Sequence, residues 1–401
     1  MISFADQNPG YVPIVVIGIG GAGSSVLDKI NSYQMKGIKT YLIDIDKDNT
    51  PCSAGVERFT IPAKVLSDLG FEATAGAATE ALANSFKAFI NSLPKTEIVF
   101  TVSGLGGGVG TTLISPLIRL LREKPLWVWT LVSLPFSFEG KPRIVNAIKK
   151  LKLLQQSANA VLAIPHDKIF KMVDKNLSMR EAFAPADNLC AELVVAVRKL
   201  TAREINRGKV NVRVSDIKEK TVIKRFTAFG TGEGMGPGRM NAAIEKAFSS
   251  TLLGKDVVSS ADGIIINISG REGLTLDEVQ QGMQHFQTLL AKEKNIVFGI
   301  SVDNSLQEAV KVDILAIGLE ANATIDNWDL AGIPDSGAKT QTNETPANRV
   351  QRINSSAGVN SKAKQTMLDF GKTSKGVFEK TGSTIHAGED LDIPTFMRRK
   401  K

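Results

Sequence analysis

The chain has 401 residues, 43% of them apolar, which is enough to bury the cores of two or three domains. Two cysteines are too few for a disulfide framework, the first residues do not resemble a signal peptide, and the longest apolar stretch, near residues 126–136, is too short to span a bilayer. We therefore expect a cytoplasmic protein without a membrane span, and its net charge of +8 is compatible with anionic partners.

Short apolar runs alternate with helical patterns from residue 12 to about residue 165. Five runs have the continuous apolar composition of buried strands, at residues 12–17, 41–45, 97–102, 127–134 and 160–164. Because buried strands separated by helices form parallel sheets covered on both faces, residues 1–185 are predicted to form a doubly wound parallel-sheet α/β domain. Ligands of such sheets bind at the carboxyl ends of the strands.

Two glycine-rich segments follow these strands directly. Residues 18–23 are Gly-Ile-Gly-Gly-Ala-Gly, and residues 104–112 are Gly-Leu-Gly-Gly-Gly-Val-Gly-Thr-Thr; a third segment, residues 230–234, lies far away. A backbone with few side chains can surround an anion with N–H groups and a helix N-terminus. Two such loops in one domain predict a nucleotide site.

The second half of the chain begins with a long helical pattern. An apolar stripe after Pro185, formed by Leu189, Leu193, Val197 and Leu200, predicts a central helix over residues 186–206. Strand candidates at residues 226–229, 263–268, 296–300 and 312–317 then alternate with helical patterns at residues 240–248 and 276–290. This order predicts a smaller α+β second domain over residues 207–320.

The last part of the chain has a different composition. Residues 321–388 are rich in Asn, Ser, Thr, Gly and Lys, which predicts a disordered linker. In residues 389–401 acidic side chains precede Pro394 and basic ones follow, which favours a short helix that would bind a partner. Residues 333–401 contain 12 Lys/Arg and 7 Asp/Glu, so this tail either contacts anionic lipid or nucleic acid or is simply solvated. No aromatic interleaving supports specific nucleic-acid binding.

Taken together, these segments resemble the bacterial FtsZ family of the tubulin/FtsZ superfamily, as a divergent member, over nearly the whole chain. Residues 104–112 resemble its glycine-rich signature, and residues 135–143, Pro-Phe-Ser-Phe-Glu-Gly-Lys-Pro-Arg, resemble its sugar- and phosphate-binding loop. Runs at residues 164–168 and 183–188 are also similar. The segment Leu391–Arg398 resembles the FtsZ terminus that recruits membrane tethers.

The resemblance implies a GTP site with Mg²⁺ beside the phosphates and no protein metal cluster. By resemblance, glycines of both loops and one threonine approach or surround the phosphates, a glutamate binds the ribose, an arginine faces the phosphates, a phenylalanine stacks on the base, and an aspartate accepts from guanine N–H groups. The glycines are Gly20, Gly21, Gly23, Gly107, Gly108 and Gly110, and the threonine is Thr111. The ribose-binding glutamate is Glu139, the arginine is Arg143, the stacking phenylalanine is Phe183 and the aspartate is Asp187.

The resemblance also implies assembly. Chains of this family join head to tail into filaments that form the bacterial division ring at mid-cell, and membrane-tethering division proteins bind the terminal segment. GTP is hydrolysed at the subunit junction, where a loop of one subunit reaches the nucleotide of the next. We therefore expect a GTPase whose partners are further copies of itself and tethers bound through Leu391–Arg398.

The junction loop departs from the family pattern. It usually has the sequence Asn-x-Asp-x-x-Asp, whereas residues 211–216 are Asn-Val-Arg-Val-Ser-Asp. Asn211 and Asp216 remain as candidate catalytic residues, and Arg213 replaces the first acid. A cation there removes one polariser of the attacking water, which predicts slow hydrolysis. Arg213 can also act as an arginine finger. Alternatively, it can form an ion pair with Asp216, in which neither side chain acts on the nucleotide.

Other departures lie around the predicted nucleotide. Val109 replaces a threonine, Asp44 adds a carboxylate near the phosphates, and His166 stands where asparagine is usual. Such a carboxylate is unfavourable beside phosphates unless a cation is present.

Other functions and roles fit parts of the sequence. The pattern Gly18-x-Gly20-x-x-Gly23, with an acid about twenty residues later, fits the dinucleotide fingerprint of an NAD-dependent oxidoreductase. That function does not require the second glycine-rich loop. A non-hydrolysing scaffold of the same family is the nearer alternative. Among single residues, the glycines can serve packing alone, Arg143 can pair with a surface acid, and Asp187 can cap the helix that follows it.

Overall fold

A computed structural model gives the fold of the protein. It describes residues 13–45, 50–65, 77–170, 177–201, 225–290 and 294–320, together with the short pieces 385–386 and 389–390. The chain divides into two units, Met1–Pro334 and Asp335–Lys401, and the first unit contains the main sheet.

In the first half, strands and helices alternate as the sequence predicts, with one additional strand at Glu57–Thr60. They are β1 (Ile14–Ile19), α1 (Gly20–Ser32), β2 (Ile38–Asp44), β3 (Glu57–Thr60), α2 (Ala77–Ser92), β4 (Ile98–Gly104), α3 (Val109–Leu121), β5 (Trp127–Leu134), α4 (Lys141–Ser157), β6 (Ala160–Pro165) and α5 (His166–Phe170). Each of the five strands predicted in this half is found within three residues of its expected ends.

The second half continues with the central helix and a mixed set of strands. These elements are α6 (Met179–Leu200), β7 (Arg225–Gly234), α7 (Arg239–Phe248), α8 (Lys255–Ser260), β8 (Gly263–Gly270), α9 (Leu276–Leu289), β9 (Ile296–Val302) and β10 (Val310–Leu319). In the second unit, β11 (Ile385–His386) pairs antiparallel with β12 (Glu389–Asp390).

One ten-stranded sheet runs through both halves, in the order β3-β2-β1-β4-β5-β6-β7-β10-β8-β9. The pairs from β3 to β7 are parallel, β10 is antiparallel to both of its neighbours, and β8 is parallel to β9. The two halves meet where Ala160 pairs with Arg225. The prediction of a doubly wound α/β fold is therefore confirmed, while the domain boundaries drawn from the sequence stay predictions.

Each face of the sheet is covered by its own apolar core. On one face α2, α3 and α4 of the first half and α7, α8 and α9 of the second half bury their apolar stripes. On the other face α1, α5 and the central helix α6 pack. Because alternate residues of a strand point to opposite faces, Ile14 and Val16 belong to the second core while Val15 and Ile17 belong to the first.

The central helix begins at Met179, earlier than predicted from Pro185. Ser178 caps it: the Ser178 hydroxyl accepts from the Glu181 backbone N–H, and the Glu181 carboxylate accepts from Ser178 N at 2.9 Å. This reciprocal pair is a capping box, which satisfies two donors of the first turn. Pro185 therefore lies inside the helix. Asp187 lies there too and cannot cap it, so the capping role considered from the sequence is wrong.

Several predicted segments fall on residues that the structure does not describe. They are the junction loop with Asn211, Arg213 and Asp216, the linker apart from residues 385–386, and the terminal segment Leu391–Arg398. Among the helices of the described residues, none combines the length and the apolar character needed to cross a membrane.

Candidate functional site

A cleft of about 380 Å³ opens at the carboxyl ends of the parallel strands. Five adjacent strands contribute to its lining at or just beyond their last residues, through Ile19, Asp44, Gly104, Ser133 and His166. This is the place where sheets of this type bind ligands. Other lining residues come from the loops and helices that follow those strands, namely Gly20, Gly21, Ala22, Thr50, Leu105, Gly107, Gly108, Val109, Gly110, Pro135, Glu139, Arg143 and Phe183.

Two helices begin at this cleft without side-chain caps. Helix α1 starts directly after β1, and α3 starts four residues after β4, the parallel neighbour of β1. Neither Ile19 nor Gly108, the residues before these helices, accepts a capping hydrogen bond, and neither first turn contains an acid. Within the described ranges, the backbone N–H groups of both first turns therefore lack side-chain caps, and the positive dipole ends of two helices lie at one cleft. Such a pair favours a multiply charged anion.

The glycines of the two loops have two different roles. A Cβ added at Gly21, Gly107 or Gly108 would have no heavy atom within 4 Å, so the backbone there is open to close approach by a ligand. A Cβ at Gly23 would lie 2.6 Å from the carbonyl carbon of Gly18, and one at Gly110 would lie 2.2 Å from Ser103 Oγ. Gly23 and Gly110 therefore allow helices α1 and α3 to pack against their strands.

Thr111 supports the second loop from beneath. Its hydroxyl oxygen accepts from the backbone N–H of Gly106 at 2.9 Å, and its side chain is buried. Gly106 itself has a φ of +95°, a conformation that residues with a Cβ rarely adopt. Thr111 thus fixes the shape of the loop and does not line the cleft.

Glu139 and Arg143, which the resemblance assigns to ribose and phosphates, bind each other across the turn at Gly140 that precedes helix α4. Arg143 Nη1 lies 2.6 Å from Glu139 Oε2, and Glu139 Oε1 accepts from Phe136 N at 2.8 Å. Both residues line the cleft. The Arg143 side chain is 56% exposed, so the pair is solvated and easily exchanged for a ligand contact.

Two of the lining residues, His166 and Phe183, belong to a cluster of aromatic rings. His166 lies 4.9 Å from both Phe136 and Phe183 between ring centroids, and Phe138 stacks on Phe136 at 4.8 Å with an interplanar angle of 13°. Phe138 is 67% exposed. Only Phe183 of this cluster was predicted as a site residue; Phe136 lies in the segment 135–143, but nothing in the sequence indicated that it contacts His166.

His166 and Asp187 have perturbed acid–base properties. Burial lowers the pKa of His166 below its usual value, against the opposing charges of Glu139 and Asp167, so its imidazole is neutral at pH 7. Within the described residues, its buried Nδ1 has no hydrogen-bond partner. Burial raises the pKa of Asp187 to about 7, and the charge of Lys29 opposes that shift. Asp187 follows Phe183 by one turn of α6 but does not line the cleft.

Asp44 is, with Glu139, one of the two carboxylates among the described residues that line the cleft. It is buried at the end of β2, where Oδ1 accepts from Ile45 N at 2.7 Å and Oδ2 accepts from the Thr50 hydroxyl. Thr50 was not anticipated, because nothing in the sequence shows that it returns to Asp44. Across the described ranges, no three His, Cys, Asp or Glu side chains cluster as a metal site. A single carboxylate fits Mg²⁺, which in nucleotide sites takes its other ligands from phosphates and water.

Comparison with known proteins assigns the family. The family model for the "Tubulin/FtsZ family, GTPase domain" matches residues 13–174, and that for the "FtsZ family, C-terminal domain" matches residues 226–320. The two matches together span more than half of the chain and leave out the junction loop and the tail. The chain belongs to the tubulin/FtsZ family. The family resemblance found in the motifs is thereby confirmed.

Individual members of the tubulin/FtsZ family are similar over most of this chain. The "Cell division protein FtsZ" of Bartonella bacilliformis is 28% identical over 311 residues, which are 78% of this chain and 52% of that protein, so the chain spans about half the length of this relative. A crystallised point mutant of FtsZ from M. jannaschii is 28% identical with a TM-score of 0.64, covering 77% of this chain and 92% of that one. A structure titled "FtsZ dimer, empty", also from M. jannaschii, is 27% identical with a TM-score of 0.63, covering 77% and 88%.

Proposed function

We propose that this protein binds GTP in the cleft, polymerises head to tail, and hydrolyses GTP slowly at the junction between subunits. The observation that supports GTP binding most directly is the meeting of two uncapped helix N-termini in one cleft whose lining glycines are open to close approach. Triphosphate oxygens would accept from the backbone donors of Gly20, Gly21, Gly107 and Gly108. Arg143 would exchange its contact with Glu139 for the phosphates, and Glu139 would then bind the ribose.

The base would lie at the aromatic end. Phe183 would stack on it, and the Asp187 carboxylate would accept from the N–H groups of guanine once the side chain turns towards the cleft. Asp44 would contribute the protein ligand of Mg²⁺, which neutralises phosphate charge beside that carboxylate. Because Asp44 already accepts two hydrogen bonds, it is oriented before the ion arrives.

Filament formation and a role in division extend this proposal from the relatives. The M. jannaschii structure is titled a dimer, and the Bartonella protein is named for cell division. We expect the same self-association here, in a ring at mid-cell. The segment Leu391–Arg398 would recruit membrane-tethering division proteins, because its sequence combines apolar and basic residues in a peptide short enough to fold on a partner.

The test combines three measurements on one sample. GTP-dependent pelleting, electron microscopy and phosphate release at several protein concentrations report assembly and turnover together. We expect filaments with GTP and a phosphate-release rate per subunit that is low but rises with protein concentration. An oxidoreductase is tested in parallel by calorimetric titration with NAD; tight binding of NAD with no response to GTP would contradict the proposal.

Arg213 is expected to limit the rate of hydrolysis. Arg213→Asp restores the carboxylate pattern, and we expect it to raise the phosphate-release rate by at least roughly tenfold, because a carboxylate then polarises the attacking water. Arg213→Gln is the matched control, since it removes the cation without adding an acid. A rate that falls in both variants would identify Arg213 as an arginine finger. Turnover unchanged by Asp216→Asn would show that the junction loop is structural in this chain, and no phosphate release from filaments of the wild type would favour the non-hydrolysing scaffold.

A further inference from the structure

Helix α4 has an unusual charge composition. Its sequence, Lys141–Ser157, contains Lys141, Arg143, Lys149, Lys150 and Lys152 and no acidic residue. The helix packs on the sheet through Ala147, Leu151 and Leu154, which are buried. The opposite side therefore faces outward along the whole second half of the helix.

The outward side of α4 presents two lysines around an exposed leucine. Lys149, Lys152, Leu153 and Gln156 are exposed, at the spacing of one helical face. Leu153 is 51% exposed, a large apolar side chain in water that is next to Lys152 in sequence and one helical turn after Lys149. Among the described residues, neither Lys149 nor Lys152 lies within ion-pair distance of an acid.

The end of the neighbouring helix α3 enlarges this positive surface. Arg122 Nη1 donates to Asn159 Oδ1 at 2.8 Å, and Asn159 follows the last turn of α4, so the carboxyl ends of α3 and α4 are adjacent. Arg119, in the last turn of α3, is exposed. In residues 119–124, Glu123 is the single acid against two arginines and one lysine.

We propose that this surface, the α4 basic face (Lys149, Lys152 and Leu153, with exposed Arg119 near the end of the neighbouring helix α3), binds the surface of an anionic lipid bilayer. Lysine is a compact point charge on a flexible stem, suited to a field of single negative charges, whereas paired carboxylates of a protein are better matched by arginine forks. An exposed leucine between lysines adds an apolar group that can enter the headgroup region. Filaments would repeat the face along the membrane and add avidity.

Vesicle binding tests the proposal on the full chain. The protein is sedimented with vesicles made of equal parts phosphatidylglycerol and phosphatidylcholine, and with pure phosphatidylcholine. We expect binding to the anionic vesicles, weakened by added NaCl. Lys149→Gln/Lys152→Gln is expected to reduce binding roughly 30-fold, at about 1 kcal/mol for each lysine near an anionic surface. Both substitutions keep helix propensity nearly unchanged.

A matched control separates the α4 basic face from net charge. Lys39→Gln/Lys255→Gln removes the same charge from two exposed lysines on β2 and α8. The basic tail is present in every variant and contributes equally. Equal losses in the two double variants would overturn the proposal, because binding would then depend on overall charge alone.

A tryptophan placed at the face reports contact with lipid directly. Leu153→Trp is compared with Leu276→Trp, whose leucine is 81% exposed at the start of α9. With brominated phosphatidylglycerol in the vesicles, we expect stronger fluorescence quenching in the first variant than in the second. Equal quenching contradicts the proposal. So does tight binding to polyglutamate or heparin that depends on Lys149 and Lys152 while vesicles stay unbound, because this would assign the face to an acidic macromolecule.

Discussion

The two ends of the cleft are built by different means. At the phosphate end the ligand would meet backbone N–H groups of the loops after β1 and β4, whose positions are fixed by packing glycines. At the other end it would meet side chains, the aromatic cluster around His166 and the carboxyl of Asp187. Backbone N–H groups do not titrate in the pH range of protein stability, whereas the side chains of His166 and Asp187 do. The phosphate end is therefore expected to respond to volume changes and the base end to pH.

The largest effect is expected from Gly110→Ala. An added Cβ would lie 2.2 Å from Ser103 Oγ and 2.7 Å from the Gly104 carbonyl oxygen, so the start of α3 must move. We expect a loss of about 1–3 kcal/mol in the free energy of unfolding, the usual cost of overpacking. We also expect GTP binding to weaken by at least roughly 100-fold, the lower value for the loss of two hydrogen bonds to a charged group. Urea unfolding and calorimetry measure the two quantities.

Gly107→Ala is the control for that substitution. Its Cβ would meet nothing within 4 Å, so the free energy of unfolding should change by less than about 0.5 kcal/mol. Weaker GTP binding in this variant, with stability intact, would mark the space beside Gly107 as occupied by the ligand. If Gly110→Ala left both quantities unchanged, the packing role of Gly110 would be wrong.

Asp187→Asn should give the next largest effect, at the base end. If the carboxylate accepts from guanine N–H groups, its loss should weaken GTP binding by about 10- to 100-fold, the value of a hydrogen bond to a charged group. ATP binding should change little. Asn188→Ala, at the exposed neighbouring position on α6, serves as the control and should leave GTP affinity unchanged. Equal losses for GTP and ATP would contradict guanine recognition by Asp187.

The elements around both ends were predicted unequally well from the sequence. The strands were found because buried parallel strands are continuous apolar runs, and the two glycine loops because each directly follows such a run and leads into a helix. The start of α6 was missed because Pro185 resembled a first helical residue, although Ser178-x-x-Glu181 is a capping box present in the sequence.

Other features depend on contacts that no local pattern encodes. The sheet continues from β6 to β7 because Ala160 pairs with Arg225, residues far apart in the sequence. The sequence indicates that Arg143 can pair with a surface acid, but it does not reveal that this acid is Glu139 or that Phe136 N donates the hydrogen bond that orients Glu139. The separate roles of Gly21 and Gly23 follow from which atoms surround each of them, which spacing alone does not reveal.

The pH dependence of GTP binding follows from the pKa of Asp187, which is about 7 in the free protein. Donors of guanine would favour the charged form, so the pKa falls on binding and affinity is highest above pH 7. GTP binding should be about tenfold weaker at pH 6 than at pH 8. The Asp187→Asn variant, measured over the same range, gives the contribution of the nucleotide's own titration. An identical profile in both proteins would show that Asp187 is not involved.

Asp187 also makes the stability of the nucleotide-free protein depend on pH. Its folded pKa is about 7, above the value near 3.9 of an unfolded aspartate, so the folded state binds the proton more tightly. The contribution of Asp187 to the free energy of unfolding is fully present below about pH 4, and it is lost as the pH rises through 7. Urea unfolding of the wild type should therefore show a decline over this window that is absent from Asp187→Asn.

The smallest effect is expected from His166→Asn. Burial keeps the imidazole neutral at pH 7, and its ring centroid lies 4.9 Å from those of Phe136 and Phe183. We therefore expect His166 to contribute mainly packing contacts beside the base. The asparagine, which is the usual residue at this position in the family, retains a donor and an acceptor, and GTP affinity at pH 7.5 should change by no more than about threefold, within the range of one weak contact. Its pH profile should match the wild type, because the titrating group is Asp187. A tenfold response to pH that disappears in His166→Asn but persists in Asp187→Asn would assign the titration to the histidine. Its Nδ1 atom, which has no hydrogen-bond partner in the part of the chain that the structure describes, would then be the group that contacts the base.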